Sequence, residues 1–317
     1  VYKRQLSRRA VLLAGLALSL PALLPRSARA QAASGRPVVV GSKLDTESAL
    51  LGQMIALALE AQGMTVERKL QLGPTRILRA AILNGEVDVY PEYTGNGAFF
   101  FQMEDDPAWH DPQAGAEKVR ALDLERNKLV WLTPGSANNT WAIAVRQDLA
   151  KDAKLESLED LTRYLKGGDS TFKLAASAEF VESPAALPAF QKAYGFTLPP
   201  ERLLVLAGGD TAVTMRAAAE RLNGVNAAMV YGTDGAIQAL ELKVLADPKG
   251  AQIVYRPAPV VRQAVFNAHP KMGDWLKPVF DSLSLEVLQK LNAKVVVEGA
   301  NPRDVAQAQL RNLGAAR

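Results

Sequence analysis

From residue 37 onward the chain switches repeatedly between short apolar runs and stretches whose apolar positions recur at helical spacing. Val38–Val40 reads as a strand. From Thr46 to Gln62 the apolar side chains Leu50, Leu51, Met54, Ile55, Ala58 and Leu59 share one helical face, and Gly63 is the stop. Thr75–Leu83 is a second helix closed by Asn84-Gly85, and Val87–Val89 is the next strand. The pattern continues through helix Ala114–Arg126, strands Leu129–Leu132 and Thr140–Val145, helix Ser157–Leu165, strand Phe172–Ala175 and helix Pro184–Tyr194. Strand Leu203–Leu206, helix Thr211–Asn223 and strand Ala227–Val230 come next. This alternation with short linkers predicts an α/β fold with mostly parallel sheets. The last third differs: Val260–Phe266 reads as a strand, then come three helices, Lys271–Phe280, Leu285–Ala293 and Pro302–Leu313. Ser284 and Asn301 are suited to N-cap positions, and Pro302 to a first helical turn.

Two linkers stand out, Thr133-Pro134-Gly135-Ser136 and Asp247-Pro248-Lys249-Gly250. If the chain crosses at both, residues 138–250 form one lobe inserted into another made of 36–137 and 251–317. A length of 317 residues accommodates two such units.

The N-terminus changes how the charge is read. Lys3, Arg4, Arg8 and Arg9 precede an apolar run from Ala10 to Leu24, and Ala28-Arg29-Ala30-Gln31-Ala32 has the small residues of a cleavage site. Residues 1–32 therefore read as a signal peptide cleaved near Ala30 or Ala32. The alternative, a retained anchor, is disfavoured because the run is shorter than the ~20 residues of a spanning helix. Ser7-Arg8-Arg9-Ala10-Val11-Leu12 resembles the twin-arginine signal, and general secretion stays open beside it. These 32 residues hold six Lys/Arg and no Asp/Glu, leaving 31 basic against 33 acidic residues in the rest of the chain. Basicity then gives no argument for nucleic acid.

In parallel α/β sheets, ligands bind beyond the carboxyl ends of strands. Gly41-Ser42-Lys43 follows the first strand, and Asp88-Val89-Tyr90-Pro91-Glu92-Tyr93-Thr94-Gly95-Asn96-Gly97 reads as a tight aromatic loop leaving Val87–Val89. Asn138-Asn139-Thr140-Trp141 opens the strand after the first crossing. Tyr231-Gly232-Thr233-Asp234-Gly235 follows Ala227–Val230, and Tyr255 lies past the second crossing. With only seven Tyr and four Trp in the chain, four at such positions are more than core filling calls for. A quaternary ammonium has no N–H to donate, but the faces of Tyr and Trp attract it by about 0.5–2 kcal/mol each. A carboxylate on the same solute would take a lysine or helix N-terminal amides. Half-buried packing is the competing reading of the same rings.

Taken together, these clusters resemble the substrate-binding proteins of ABC importers for osmoprotectants such as glycine betaine, choline, carnitine and proline betaine. The resemblance runs from about Val38 to Leu313. It rests on Gly41-Ser42-Lys43 with Thr46-Glu47, Asp88–Gly95, Asn138-Asn139-Thr140, Thr233-Asp234-Gly235 and Ala258-Pro259-Val260-Val261-Arg262. It implies a type II periplasmic binding protein fold, in which two lobes joined by two hinge crossings close on a solute. It further implies a periplasmic monomer that needs no cofactor and delivers a quaternary amine to a permease coupled to an ATPase. Cage tyrosines of the family match Tyr93, Tyr231 and Tyr255, another falls on Trp141, and the carboxylate-side lysine matches Lys43. Asn96, Asn139, Thr233 and Asp234 complete the implied ligand-binding set. Three positions depart from the pattern: Ser48 stands for a glutamine, Asn96 for a threonine, and Ser183 for an arginine that helps hold the carboxylate. Ser183 also precedes Pro184, which suits an N-cap. The cage is kept and the carboxylate clamp is partly missing.

Rival functions find little support. With no cysteine and only His110 and His269, thiolate and zinc chemistry have few residues to use. Ser170-Thr171-Phe172-Lys173 fits a loose Ser-x-x-Lys pattern, but at a strand start. The acidic pairs Asp45, Glu47 and Asp88, Glu92 fall near the expected cleft, where carboxylates could balance a cationic ligand or cap helices, and Asp45 and Thr46 suit capping. An enzyme is therefore not expected. A binding protein of the same fold for an amino acid or polyamine is the closer alternative. Tyr164 and Tyr194 read as helix-packing residues.

Overall fold

The computed structural model describes residues 36–168, 171–206 and 211–315; the expected signal peptide lies outside them. Among the described residues, ten strands form two five-stranded sheets. The first contains β1 (Val38–Lys43), β2 (Val66–Gly73), β3 (Val89–Tyr93), β4 (Leu129–Trp131) and β10 (Pro257–Arg262), in the order β2-β1-β3-β10-β4. The second contains β5 (Trp141–Arg146), β6 (Leu174–Ser177), β7 (Leu203–Leu206), β8 (Ala227–Tyr231) and β9 (Leu242–Val244), in the order β7-β6-β8-β5-β9.

Both sheets are mixed in the same way. β1 pairs parallel with β2 and β3, whereas β10 pairs antiparallel with β3 and β4. Likewise β6 is parallel to β7 and β8, whereas β5 is antiparallel to β8 and β9. The reversed strand of each sheet is the one the chain enters on arriving from the other sheet. Its first residues therefore lie beside the last residues of its neighbours: Trp141 is level with Tyr231, and Pro257 with Tyr93. Residues that precede or open a strand are thus delivered to the ligand-binding edge.

The crossing segments, 132–140 and 245–256, are tied to each other. Asn139 N donates to Tyr255 O at 3.0 Å, Tyr255 N to Asn138 Oδ1 at 2.8 Å, and Thr140 Oγ1 to Ile253 O at 2.9 Å. A further link comes from helix Leu285–Val296, which follows the Ser284 cap. Its Gln289 Nε2 donates to Gly232 O at 2.7 Å and Asn292 Nδ2 to Thr233 O at 2.9 Å, both acceptors lying just past β8.

Each sheet has its own core. Helix Thr46–Ala61 buries Leu50, Leu51, Met54, Ile55 and Leu59 against Leu276, Phe280, Val305 and Leu310 of the C-terminal helices. In the second lobe Phe172, Phe180, Phe190 and Tyr194 are buried together, with Tyr164 packed beside them.

Several local expectations need correction. The stretch Tyr90–Tyr93 is strand, and only Thr94-Gly95 turns before helix Asn96–Phe100. β1 runs on through Gly41-Ser42-Lys43, whereas the sequence reading ends it at Val40. β2 goes unread because it is a partly exposed edge strand carrying Glu67, Arg68 and Lys69. The apolar run Val260–Phe266 divides at Arg262, and Gln263–Ala268 is helical; periodicity cannot type so short an apolar run. Ser183 is not an N-cap. Its backbone N–H closes helix Ala178–Glu182 on Glu179 O at 2.8 Å, and the next helix starts at Leu187.

Candidate ligand-binding site

The edges where strands end enclose a cavity of about 1090 Å³. Its wall includes all nine residues expected from the sequence: Lys43, Tyr93, Asn96, Asn139, Trp141, Tyr231, Thr233, Asp234 and Tyr255. Lys43 ends β1, Tyr93 ends β3 and Tyr231 ends β8, while Trp141 opens β5 and Tyr255 stands two residues before β10.

Trp141 and Tyr231 are cross-strand neighbours whose rings lie 6.3 Å apart at 22°, and Phe180 meets Trp141 edge-on at 6.0 Å from behind. Aromatic pairs of this kind add about 0.5–1.5 kcal/mol beyond their buried area, so each ring helps fix the next. Asp234 sets the Tyr231 backbone: its Oδ2 accepts from Tyr231 N at 2.8 Å and its own N donates to Tyr231 O at 3.0 Å. Tyr255 packs on the Gly95 backbone. A Cβ at Gly95 would stand 2.7 Å from Ile253 Cγ2 and 2.8 Å from Tyr255 Cδ1, so a side chain there would displace the ring.

Tyr93 is already engaged. The Lys43 ammonium lies 4.6 Å from the centre of its ring and 2.5 Å from Glu92 Oε1. Glu92, fully buried, also accepts from Tyr93 N at 2.8 Å, Asn96 Nδ2 at 2.7 Å and the Tyr90 hydroxyl at 3.2 Å. Asn96 therefore turns its amide nitrogen to Glu92. Ser48 has a local task as well: its Oγ accepts from Lys43 N at 2.9 Å, holding the end of β1.

A second buried carboxylate, Glu47, sits where the lobes meet. It accepts from the Tyr93 hydroxyl at 2.5 Å, from Asn139 Nδ2 at 3.1 Å and from Asn292 Nδ2 at 2.6 Å, and Thr233 is buried nearby. With both amide nitrogens turned to it, Asn139 Oδ1 and Asn292 Oδ1 are left buried without a donor. Glu47 and Glu92 were expected near the cleft as members of acidic pairs, but not in the ligand-binding set. The available signal was local: a carboxylate between two strand tyrosines, and another on the first turn of an otherwise apolar helix, each need a buried partner.

Residues 36–312 match the family described as the substrate binding domain of an ABC-type glycine betaine transport system. The chain belongs to that family. It is 58% identical over 296 residues to the glycine betaine-binding protein YehZ of Escherichia coli, covering 93% of this chain and 96% of YehZ. A glycine-betaine-binding protein of Pseudomonas aeruginosa is 32% identical over 277 residues, 86% of each chain. The solved structure of apo YehZ superposes with a TM-score of 0.84, covering 88% of this chain and 99% of that one. The fold is accordingly that of the two-lobed periplasmic binding proteins.

Within this family member, burial pushes the Glu47 carboxyl above its ordinary value of 4.5, against the opposing pull of Tyr93, Thr233 and Asn292 and with a further push from Asp45. The folded state then binds this proton more tightly than the unfolded chain does. Its stabilising contribution is full below pH 4.5 and is lost as pH rises through the raised folded value. Glu47→Gln removes that titration. The stability of the native protein relative to the variant should therefore fall as pH rises from about 4.5, read from urea midpoints at stepped pH. A constant difference would show that Glu47 titrates alike in both states.

Proposed function

We propose that this chain is the periplasmic binding protein of an ABC importer and that its ligand is a small quaternary amine. In this reading residues 1–32 are removed on export. The monomeric remainder captures the solute between lobe 36–137 plus 251–317 and lobe 138–250, and the closed form docks on a permease driven by an ATPase. It returns its ligand chemically unchanged.

The observation that carries the reading is the convergence of Trp141, Tyr231 and Tyr255 from three strand ends on one cavity, with two carboxylates buried behind its wall. Aromatic faces bind a cation that lacks N–H groups, and the Glu47 carboxylate adds negative potential when ionised, whereas that of Glu92 is cancelled by Lys43. Asn139 and Thr233 act in this reading through Glu47, and Asp234 through Tyr231. Hydrogen bonds between the two crossings leave few hinge conformations, which favours a two-position closure.

Calorimetry with glycine betaine, choline, carnitine, proline betaine, arginine and spermidine tests the ligand class. Saturable binding of at least one quaternary amine is expected, with a shift in tryptophan fluorescence and a smaller radius of gyration on closure. Binding only arginine or spermidine would overturn the ligand assignment. Binding without any change in fluorescence or scattering would overturn the closure step.

A further inference from the structure

Lys43 cannot offer a free charge to a solute carboxylate, because Glu92 already neutralises it inside the wall. The other ionisable Asp, Glu, Lys and Arg side chains of the cavity are Asp45, Glu47, Arg216 and Asp234. Asp45 caps helix Thr46–Ala61, Glu47 holds the interlobe network, and Asp234 holds the Tyr231 turn. Among the described residues of the wall, Arg216 is the remaining cation. It lies on helix Thr211–Ala219, whose Thr214, Met215, Ala217 and Ala218 are buried against the second sheet, while the Arg216 side chain is exposed toward the cavity. No carboxylate among the described residues lies within salt-bridge distance of it.

We propose that Arg216 is the anion-binding residue of the site, receiving the carboxylate of a zwitterionic solute whose cation rests on the Trp141–Tyr231 wall of the same lobe. This inference rests on the quaternary-amine reading above. The planar guanidinium presents paired donors that match a carboxylate, and with no salt bridge to another described residue it has no such ion pair to give up. Choline, having no carboxylate, gains nothing from it and is mildly repelled. Arg216 thereby sets a preference for zwitterions over simple cations.

The test compares the mature protein with Arg216→Ala and Arg216→Lys by calorimetry against glycine betaine, carnitine and choline. Folding should be unaffected because the side chain is exposed, which a thermal melt verifies. The alanine variant should lose about tenfold or more in affinity for at least one of the two zwitterions and none for choline. The lysine variant, which keeps charge but not the paired donors, should fall between. Equal loss for zwitterions and choline, or no loss for either zwitterion, overturns the assignment of Arg216 alone, as does a native protein that binds choline but neither zwitterion. A native protein that binds neither these three nor proline betaine overturns the proposed ligand class, and this inference with it; one that binds proline betaine alone, also a zwitterion, should lose the same tenfold in the alanine variant.

Discussion

Replacing Lys43 with methionine should cost about 3–5 kcal/mol of folding stability. Both members of the Lys43–Glu92 pair are buried, so removing the ammonium leaves a carboxylate with no counter-charge in a low-dielectric wall. Three neutral donors remain, from Tyr93 N, Asn96 and Tyr90, and these place the loss toward the lower end of that range. Against a typical domain stability of about 5–15 kcal/mol the change is large. In urea it reads as a lower midpoint with an unchanged slope, since the surface exposed on unfolding hardly differs. Glu92→Gln in the same background should restore most of the midpoint, because the amide keeps an acceptor for Tyr93 N and carries no charge. A Lys43→Met variant as stable as the native protein would show that the pair contributes no net stability.

That pair also shows where sequence reading stopped. Strand ends, caps and aromatic positions are local properties. Tyr93, Trp141, Tyr231 and Tyr255 could be picked out because each lies beside a strand in sequence, and Ser284 and Asn301 because capping needs only its own helix. The partner of Lys43 depends instead on register. Val40 is level with Val89 across β1 and β3, so Lys43 and Glu92, each three residues further along parallel strands, come level as well. Reading Tyr90–Tyr93 as a loop removed the strand on which that alignment depends. The network of Glu47, a residue expected near the cleft, escaped for a different reason: its donors come from Tyr93, Asn139 and Asn292, spread over most of the chain and gathered only by tertiary structure. The α/β architecture itself was legible because strand–helix alternation needs no long-range information.

Replacing Tyr231 with alanine should weaken quaternary-amine binding by at least tenfold while leaving the fold nearly intact. The ring is 38% exposed in the open cavity, so its truncation removes little core contact. Its contribution to binding has two parts. The ring face attracts the cation by about 0.5–2 kcal/mol, the upper end applying once closure excludes water. It also braces Trp141, its cross-strand partner at 6.3 Å, and losing an aromatic pair of this kind is worth about 0.5–1.5 kcal/mol. A tenfold loss corresponds to about 1.4 kcal/mol, within reach of the two parts combined. Two further variants separate ring electrostatics from mere bulk. Tyr231→Phe keeps the quadrupole and should bind within about threefold of the native protein, whereas Tyr231→Leu fills much of the volume and should lose nearly as much as alanine. If leucine binds as well as phenylalanine, the wall recognises its ligand by apolar contact alone, and the cation-recognition argument fails at its central residue.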